Sequence, residues 1–176
     1  GGWPAPRLYP QTLPLPIMGF FGDQSNKARG LAVFVPMVIS TGGNTGSQAA
    51  SLLVRASAVE EVTLKSWWRV MNKEILTGLW LGATLGGLGM LVTWVLSFSG
   101  MVDTDYLMLL SATVGVALFI IVLWANIVGS TLPLVLDRLG IDPAAASTPF
   151  VATLMDVSGL TIYFLVAILI LHGTIL

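Results

Sequence analysis

Asp156 is the single acidic side chain in a long apolar run, 143–176, that contains no lysine or arginine. A carboxylate near the centre of a membrane helix costs roughly 2.5–3.5 kcal/mol to insert, so its presence asks for a physical reason, and the default reason is a cation pathway. On a helix its face is shared by Ala152, Thr153, Gly159 and Tyr163, three, four or seven residues away. Small neighbours leave room beside the carboxylate, and that room suits a hydrated ion. Magnesium fits, because it demands octahedral oxygen geometry, gives up water reluctantly and is commonly held by one or two carboxylates. One Asp per chain offers one negative charge. A twofold dimer with its axis along the pore brings two together to balance a divalent cation.

The second chemical feature is the string Ser40-Thr41-Gly42-Gly43-Asn44-Thr45-Gly46-Ser47-Gln48, embedded in the uncharged run 30–54. Three glycines and six polar side chains weaken a helix, and in hydrocarbon such groups are tolerable only against protein or water. Pro36 adds to this by removing the donor that the carbonyl near Ala32 would otherwise meet. Loosened helices at mid-membrane are where transporters coordinate ions with backbone oxygens. A tight small-residue helix crossing explains the same glycines.

These residues must be positioned by membrane helices. Hydrophobic residues make up 55% of the chain, charged residues only 10%, and the mean hydropathy is +0.87, too apolar for a soluble monomer. The charges leave neutral stretches at 30–54, 75–102, 106–136 and 143–176, the last interrupted by Asp156 and His172. Each exceeds the ~20 residues that cross ~30 Å of hydrocarbon as a helix. The expectation is an all-α membrane protein with four clear spanning helices, at about 30–56, 74–99, 105–137 and 147–175. Solid apolar runs argue against a β-barrel. A net charge of −1 without a polybasic run gives no case for nucleic acid. Zero cysteines exclude disulfides and thiolate chemistry, and the one histidine lacks partners for a zinc site. The chain is expected not to be an enzyme.

Charge placement sets the orientation. Arg55, Lys65, Arg69 and Lys73 crowd the first connection, the next carries only Asp103 and Asp105, and Arg138 marks the third. By the positive-inside rule the loops at 55–74 and 137–143 face the cytoplasm of a cell membrane and the C-terminus lies outside, against the smaller pull of Lys27 and Arg29. The segment 60–73 mixes Trp67 and Trp68 with Glu60, Glu61, Lys65, Arg69 and Lys73. It reads as an amphipathic interfacial helix. Gly78, Gly82 and Gly86, four apart with Gly89 close to the same face, predict close helix packing. Asn126, Gly129 and Ser130 before Pro133 are read as bonding a neighbouring helix or relieving a kink. The first 26 residues, with Pro4, Pro6, Pro10, Pro14 and Pro16, form an atypical proline-rich segment distinct from the pore domain at 27–176.

The string Pro36-Met37-Val38-Ile39-Ser40-Thr41-Gly42-Gly43-Asn44-Thr45-Gly46-Ser47-Gln48, continued by Ala49-Ala50-Ser51-Leu52-Leu53-Val54-Arg55-Ala56, closely resembles the second membrane helix of the MgtE magnesium channels. Asp142-Pro143-Ala144, Pro149-Phe150-Val151-Ala152-Thr153 and Asp156-Val157-Ser158-Gly159-Leu160 are similar to that family's fifth helix. Asn126-Ile127-Val128-Gly129 with Leu132-Pro133 resembles its fourth. The resemblance implies a homodimer of five-helix chains, the first helix being degenerate or missing in 1–20, with magnesium passing along the subunit interface. It implies Asp156 as the metal site with backbone from Ala152. It also implies a pore lined by Pro36, Gly42, Gly43, Asn44, Thr45, Gln48, Thr148, Thr153 and Gly159. Mn2+, Co2+ or Ca2+ at the same oxygen site is not excluded by ligand type. The family's cytoplasmic regulatory domains are expected to be absent from this chain. Against a passive channel stand a sodium- or proton-coupled carrier, a nonconducting divergent fragment, and an intramembrane aspartyl hydrolase. The last needs two carboxylates sharing a proton, and one chain offers only Asp156.

Overall fold

A computed structural model describes residues 29–58, 67–102 and 106–172. Four helices make up nearly all of them: α1 (Arg29–Ala58), α2 (Trp67–Phe98), α3 (Leu107–Arg138) and α4 (Pro143–Leu171). Runs of Leu, Ala, Val, Ile and Met bounded by few breakers favour helix throughout. The chain reverses through two turns built alike. Gly100 and Gly140 hold φ of 75° and 72°, a left-handed conformation that glycine adopts without steric cost. The following Met101 and Ile141 amides bond back to Leu96 O and Leu136 O, both at 3.0 Å, which satisfies carbonyls that a helix end leaves open. After the second turn Asp142 Oδ1 accepts from the Ala144 amide at 2.9 Å, with Pro143 at the first helical position.

Inter-helix contacts fix the directions. Leu31 meets Tyr163 and Ser51 meets Thr148, so α1 and α4 are antiparallel. Gly30 lies at Leu110, Gly42 at Ile121 and Gly129 at Ala49, so α1 and α3 are parallel. Among the described residues α1, α3 and α4 all touch one another, while α2 touches α3 alone. The core fills the three-helix triangle. One cluster is built around Leu31, Phe34, Val38, Leu118, Ile121, Tyr163 and Phe164, and a second around Ala50, Ala125, Val151 and Met155.

The α2–α3 contact is the close packing its glycines predict. Gly78, Gly82, Gly86 and Gly89 are all buried. A Cβ at Gly86 would lie 2.7 Å from Gly115 O, and one at Gly82 would lie 3.0 Å from Phe119 O, so the backbones themselves are in contact. The rest of α2 presents large exposed apolar groups, among them Trp80, Leu88, Leu91 and Phe98, as a lipid-facing surface would.

Several expectations change. Trp67 to Lys73 are not a separate surface helix but the opening turns of α2, and 59–66 lie outside the described residues. Continuous hydrogen bonding carries the amphipathic turns straight into the apolar span. Helix α4 starts at Pro143 rather than 147, because Asp142 and Pro143 supply a cap and a preset first turn. Three helical segments, Trp67–Phe98, Leu107–Arg138 and Ser147–Leu171, are long and apolar enough to cross a membrane. With 30 residues α1 is long enough, at about 45 Å by helical rise, but the polar string at 40–48 lowers its hydropathy. That string does not loosen it: α1 is continuous through Pro36, Gly42, Gly43 and Gly46, held by packing against α3 and α4. The proline-rich segment 1–26 lies outside the described residues, as do 103–105 and 173–176.

Candidate cation-binding face

The two features singled out by their chemistry meet. Asp156 is half-buried on α4, and a Cβ built on Gly43 of α1 would lie 3.7 Å from its Oδ1. Glycine at 43 therefore keeps the space beside the carboxylate free of side chain. One turn towards the start of α4, Ala152 is also half-buried, and Thr153 is exposed with its hydroxyl bonded to Pro149 O at 3.1 Å.

Beside this carboxylate runs a polar stripe along α1. Ser40, Asn44 and Gln48 recur at every fourth residue and are all exposed, and Asn44 Nδ2 donates to Ser40 Oγ at 3.2 Å. The stripe continues through Ser47, Ser51 and Arg55, and a groove of about 420 Å3 is lined by Asn44, Ser47, Gln48, Ser51, Leu52 and Arg55. Arg55 Nε donates to Ser51 O at 3.3 Å, placing a cation at the helix C-terminus where the dipole favours it. Thr148 closes the groove from α4. Its carbonyl accepts from Ser47 Oγ at 3.4 Å, and its hydroxyl lies 3.2 Å from Ser51 Oγ.

Other residues expected to line a pore turn inward. Gly42 is buried, and a Cβ there would meet Ile121 of α3 at 2.9 Å and Met155 of α4 at 3.9 Å; buried Gly159 likewise faces Ile121. Thr45 is buried at 7% exposure. At 100° per residue, position 42 falls on the side of α1 opposite to 40 and 44, and position 45 lies about 100° round from 44. Pro36 is exposed, and near it Tyr163 Oη donates to Leu31 O at 2.9 Å, tying α4 to α1. Asn126 is buried and bonds Val122 O of its own helix at 2.9 Å rather than a neighbour. Gly129 lets α3 press against Gly46 O and Ala49 of α1. Ser47, Ser51 and Arg55 belong to the groove although none was singled out as a lining residue; their spacing of four was the available signal.

Among the described residues no three His, Cys, Asp or Glu side chains gather as a ligand cluster. One chain thus presents one carboxylate flanked by hydroxyls and amides, a donor set suited to a hydrated hard cation rather than to a fully stripped one.

Residues 35–166 match the family described as MgtE, divalent cation transporter. The magnesium transporter MgtE of Thermus thermophilus is 49% identical over 143 residues, covering 81% of this chain and 30% of that protein. Its namesake from Enterococcus faecalis is 36% identical over 137 residues, covering 78% of this chain and 28% of that protein. The Bacillus subtilis magnesium transporter MgtE is 31% identical over 157 residues, covering 89% and 33%. The chain spans about a third or less of the length of these relatives. The matched residues include both the Gly42-Gly43-Asn44 string and Asp156, and the chain belongs to the MgtE family of divalent cation transporters.

Proposed function

We propose that two copies of this chain form a membrane pore for magnesium, with the α1 stripe and Asp156 of each copy facing a shared water-filled axis. The observation that carries the reading is Asp156 beside Gly43, on a face whose exposed residues are Ser40, Asn44 and Gln48. Unpaired polar groups facing acyl chains cost several kcal/mol each. A single copy therefore cannot present this stripe to lipid, whereas a twofold pair covers it and lines it with water. The relatives named magnesium transporters support the choice of cargo.

In this arrangement α1 joins the other three helices as a fourth span, tolerated by lipid because its polar side is turned away from it. Each copy contributes one carboxylate, and the pair balances the charge of a divalent ion. Asn44, Gln48, Ser51 and Thr148 offer neutral oxygens that replace bulk water for the ion's outer hydration without binding it tightly enough to stop release. Ala152, one turn from Asp156, offers backbone to the same site. The basic ends at Arg55, Arg69 and Arg138 face the cytoplasm and the C-terminus faces outward. Mn2+, Co2+ and Ca2+ can compete for the same oxygen ligands.

Within one chain α1 carries no acid and Glu74 lies on α2, which does not touch α4 among the described residues, so no second carboxylate partners Asp156 for proton coupling, which supports a passive channel over a coupled carrier. Uptake of Mg2+ into liposomes holding the 176-residue chain, driven by a membrane potential with and without a sodium gradient, tests this. Uptake that persists without sodium is expected. Strict dependence on sodium would favour the carrier, and no uptake at all would overturn the transport reading for this chain.

A further inference from the structure

On the side of the bundle formed by α2 and α3, a second cavity of about 200 Å3 opens between the start of α2 and the end of α3, lined by Trp67, Thr131, Leu134, Val135 and Arg138. Since α2 touches neither α1 nor α4 among the described residues, this cavity is separate from the candidate pore. We propose that it binds an anionic phospholipid of the leaflet at the basic end of the bundle.

Three observations select that ligand. Arg138 is exposed and makes no ion pair among the described residues, so its planar guanidinium is free for bidentate contact with a phosphate. Asp137, its neighbour on α3, is not among the lining residues. Arg69 and Lys73, exposed on the first turns of α2, add positive potential at the same membrane level.

The second observation is the Thr131 hydroxyl, which is buried and has no hydrogen-bond partner. Several other hydroxyls in these helices bond the carbonyl four residues back. Thr113 bonds Leu109 O at 2.8 Å, Ser130 bonds Asn126 O at 2.7 Å and Thr161 bonds Val157 O at 2.8 Å. Thr131 shares this lack of a partner with Ser57, but of the two only Thr131 belongs to the wall of this cavity, where a turn of its side chain would uncover the unspent donor. It stands two turns, about 10 Å, from Arg138 along α3. A glycerophospholipid has acceptors at two such depths, a phosphate at the interface and ester carbonyls below it.

Third, the surface between those two donors is apolar. Leu134 and Val135 occupy the intervening turn, and Trp67 flanks the cavity with an indole of the kind enriched at headgroup level. A phosphate ion would use Arg138 and leave Leu134, Val135 and the deeper hydroxyl unserved. A lipid uses all five residues.

The test is native mass spectrometry of the full 176-residue chain in detergent, titrated with phosphatidylglycerol, phosphatidylcholine or glycerol 3-phosphate. Phosphatidylglycerol should remain bound preferentially. Arg138→Gln should reduce its retention about fivefold, as expected for one basic contact at an anionic surface. Thr131→Val should cause a smaller loss at unchanged thermal stability, and Arg69→Gln, which lies outside the cavity and adds only potential, should cost clearly less than Arg138→Gln. Equal losses from Arg69→Gln and Arg138→Gln would show diffuse surface attraction and overturn the site. Equal retention of phosphatidylcholine, or displacement by glycerol 3-phosphate at matched concentration, would overturn the lipid as its occupant.

Discussion

In the proposed pore, Asp156 and Gly43 make up the smallest unit on which conduction would turn. Asp156→Asn keeps the shape of the side chain and is cheaper to insert in lipid. It should leave the fold and the dimer intact while weakening Mg2+ binding by at least about tenfold, or about 1.4 kcal/mol, as read by isothermal titration. Unchanged affinity would remove Asp156 from the site. Gly43→Ala separates room from charge. Its methyl would make ordinary contact with Asp156 Oδ1 at 3.7 Å, and alanine favours the helix by up to about 1 kcal/mol over glycine. Thermal stability should hold or rise while Mg2+ affinity falls, because the methyl occupies space that water needs. Asp156 stood out in the sequence because a charge in an apolar run admits few explanations, while its place beside Gly43 needed the fold. The inward turn of Gly42, Thr45 and Gly159 was not legible, since a motif read as a string hides helical phase: neighbours in the string point about 100° apart around the helix. Thr131 gave no signal either, for the lack of a partner at its hydroxyl is visible only in the packed helices.

Among the elements, α2 offers the cleanest contrast. Gly86 and Gly87 are adjacent in sequence, yet a Cβ at Gly86 would lie 2.7 Å from Gly115 O and one at Gly87 would meet nothing within 4 Å. Gly86→Ala forces the backbones of α2 and α3 apart and should cost about 1–3 kcal/mol. Gly87→Ala should be neutral or stabilising by up to about 1 kcal/mol. Unfolding in detergent followed by circular dichroism distinguishes them, and equal effects would mean that the α2–α3 crossing is not as close as described. The spacing of these glycines foretold their packing, since residues four apart share a face whatever the neighbour. Helix ends were less legible. The basic and aromatic residues at 67–73 resemble a surface helix by composition, and only the unbroken hydrogen bonding into Glu74 and beyond shows them to be part of α2. The early start of α4 could have been read from Asp142-Pro143, a cap followed by a preset first turn.

At the scale of the whole molecule, the arrangement divides labour between its sides. Helix α2 shows lipid a wall of Trp80, Leu88, Leu91 and Phe98, while α1 shows its opposite, a row of amides and hydroxyls ending at Arg55. Composition alone foretold an all-helical membrane protein but ranked α1 with the other spans. Its polar side is what separates it from them by hydropathy, and that same side is what the proposed second copy would cover. The chain has no cysteine, so single cysteines can be placed without background. Asn44→Cys and Gln48→Cys, in membranes, should react with an impermeant maleimide and be joined chain to chain by a short bismaleimide, while Leu88→Cys on the lipid wall should do neither. Cross-linking through position 88 with positions 44 and 48 unreactive would contradict a wet interface of two copies along α1.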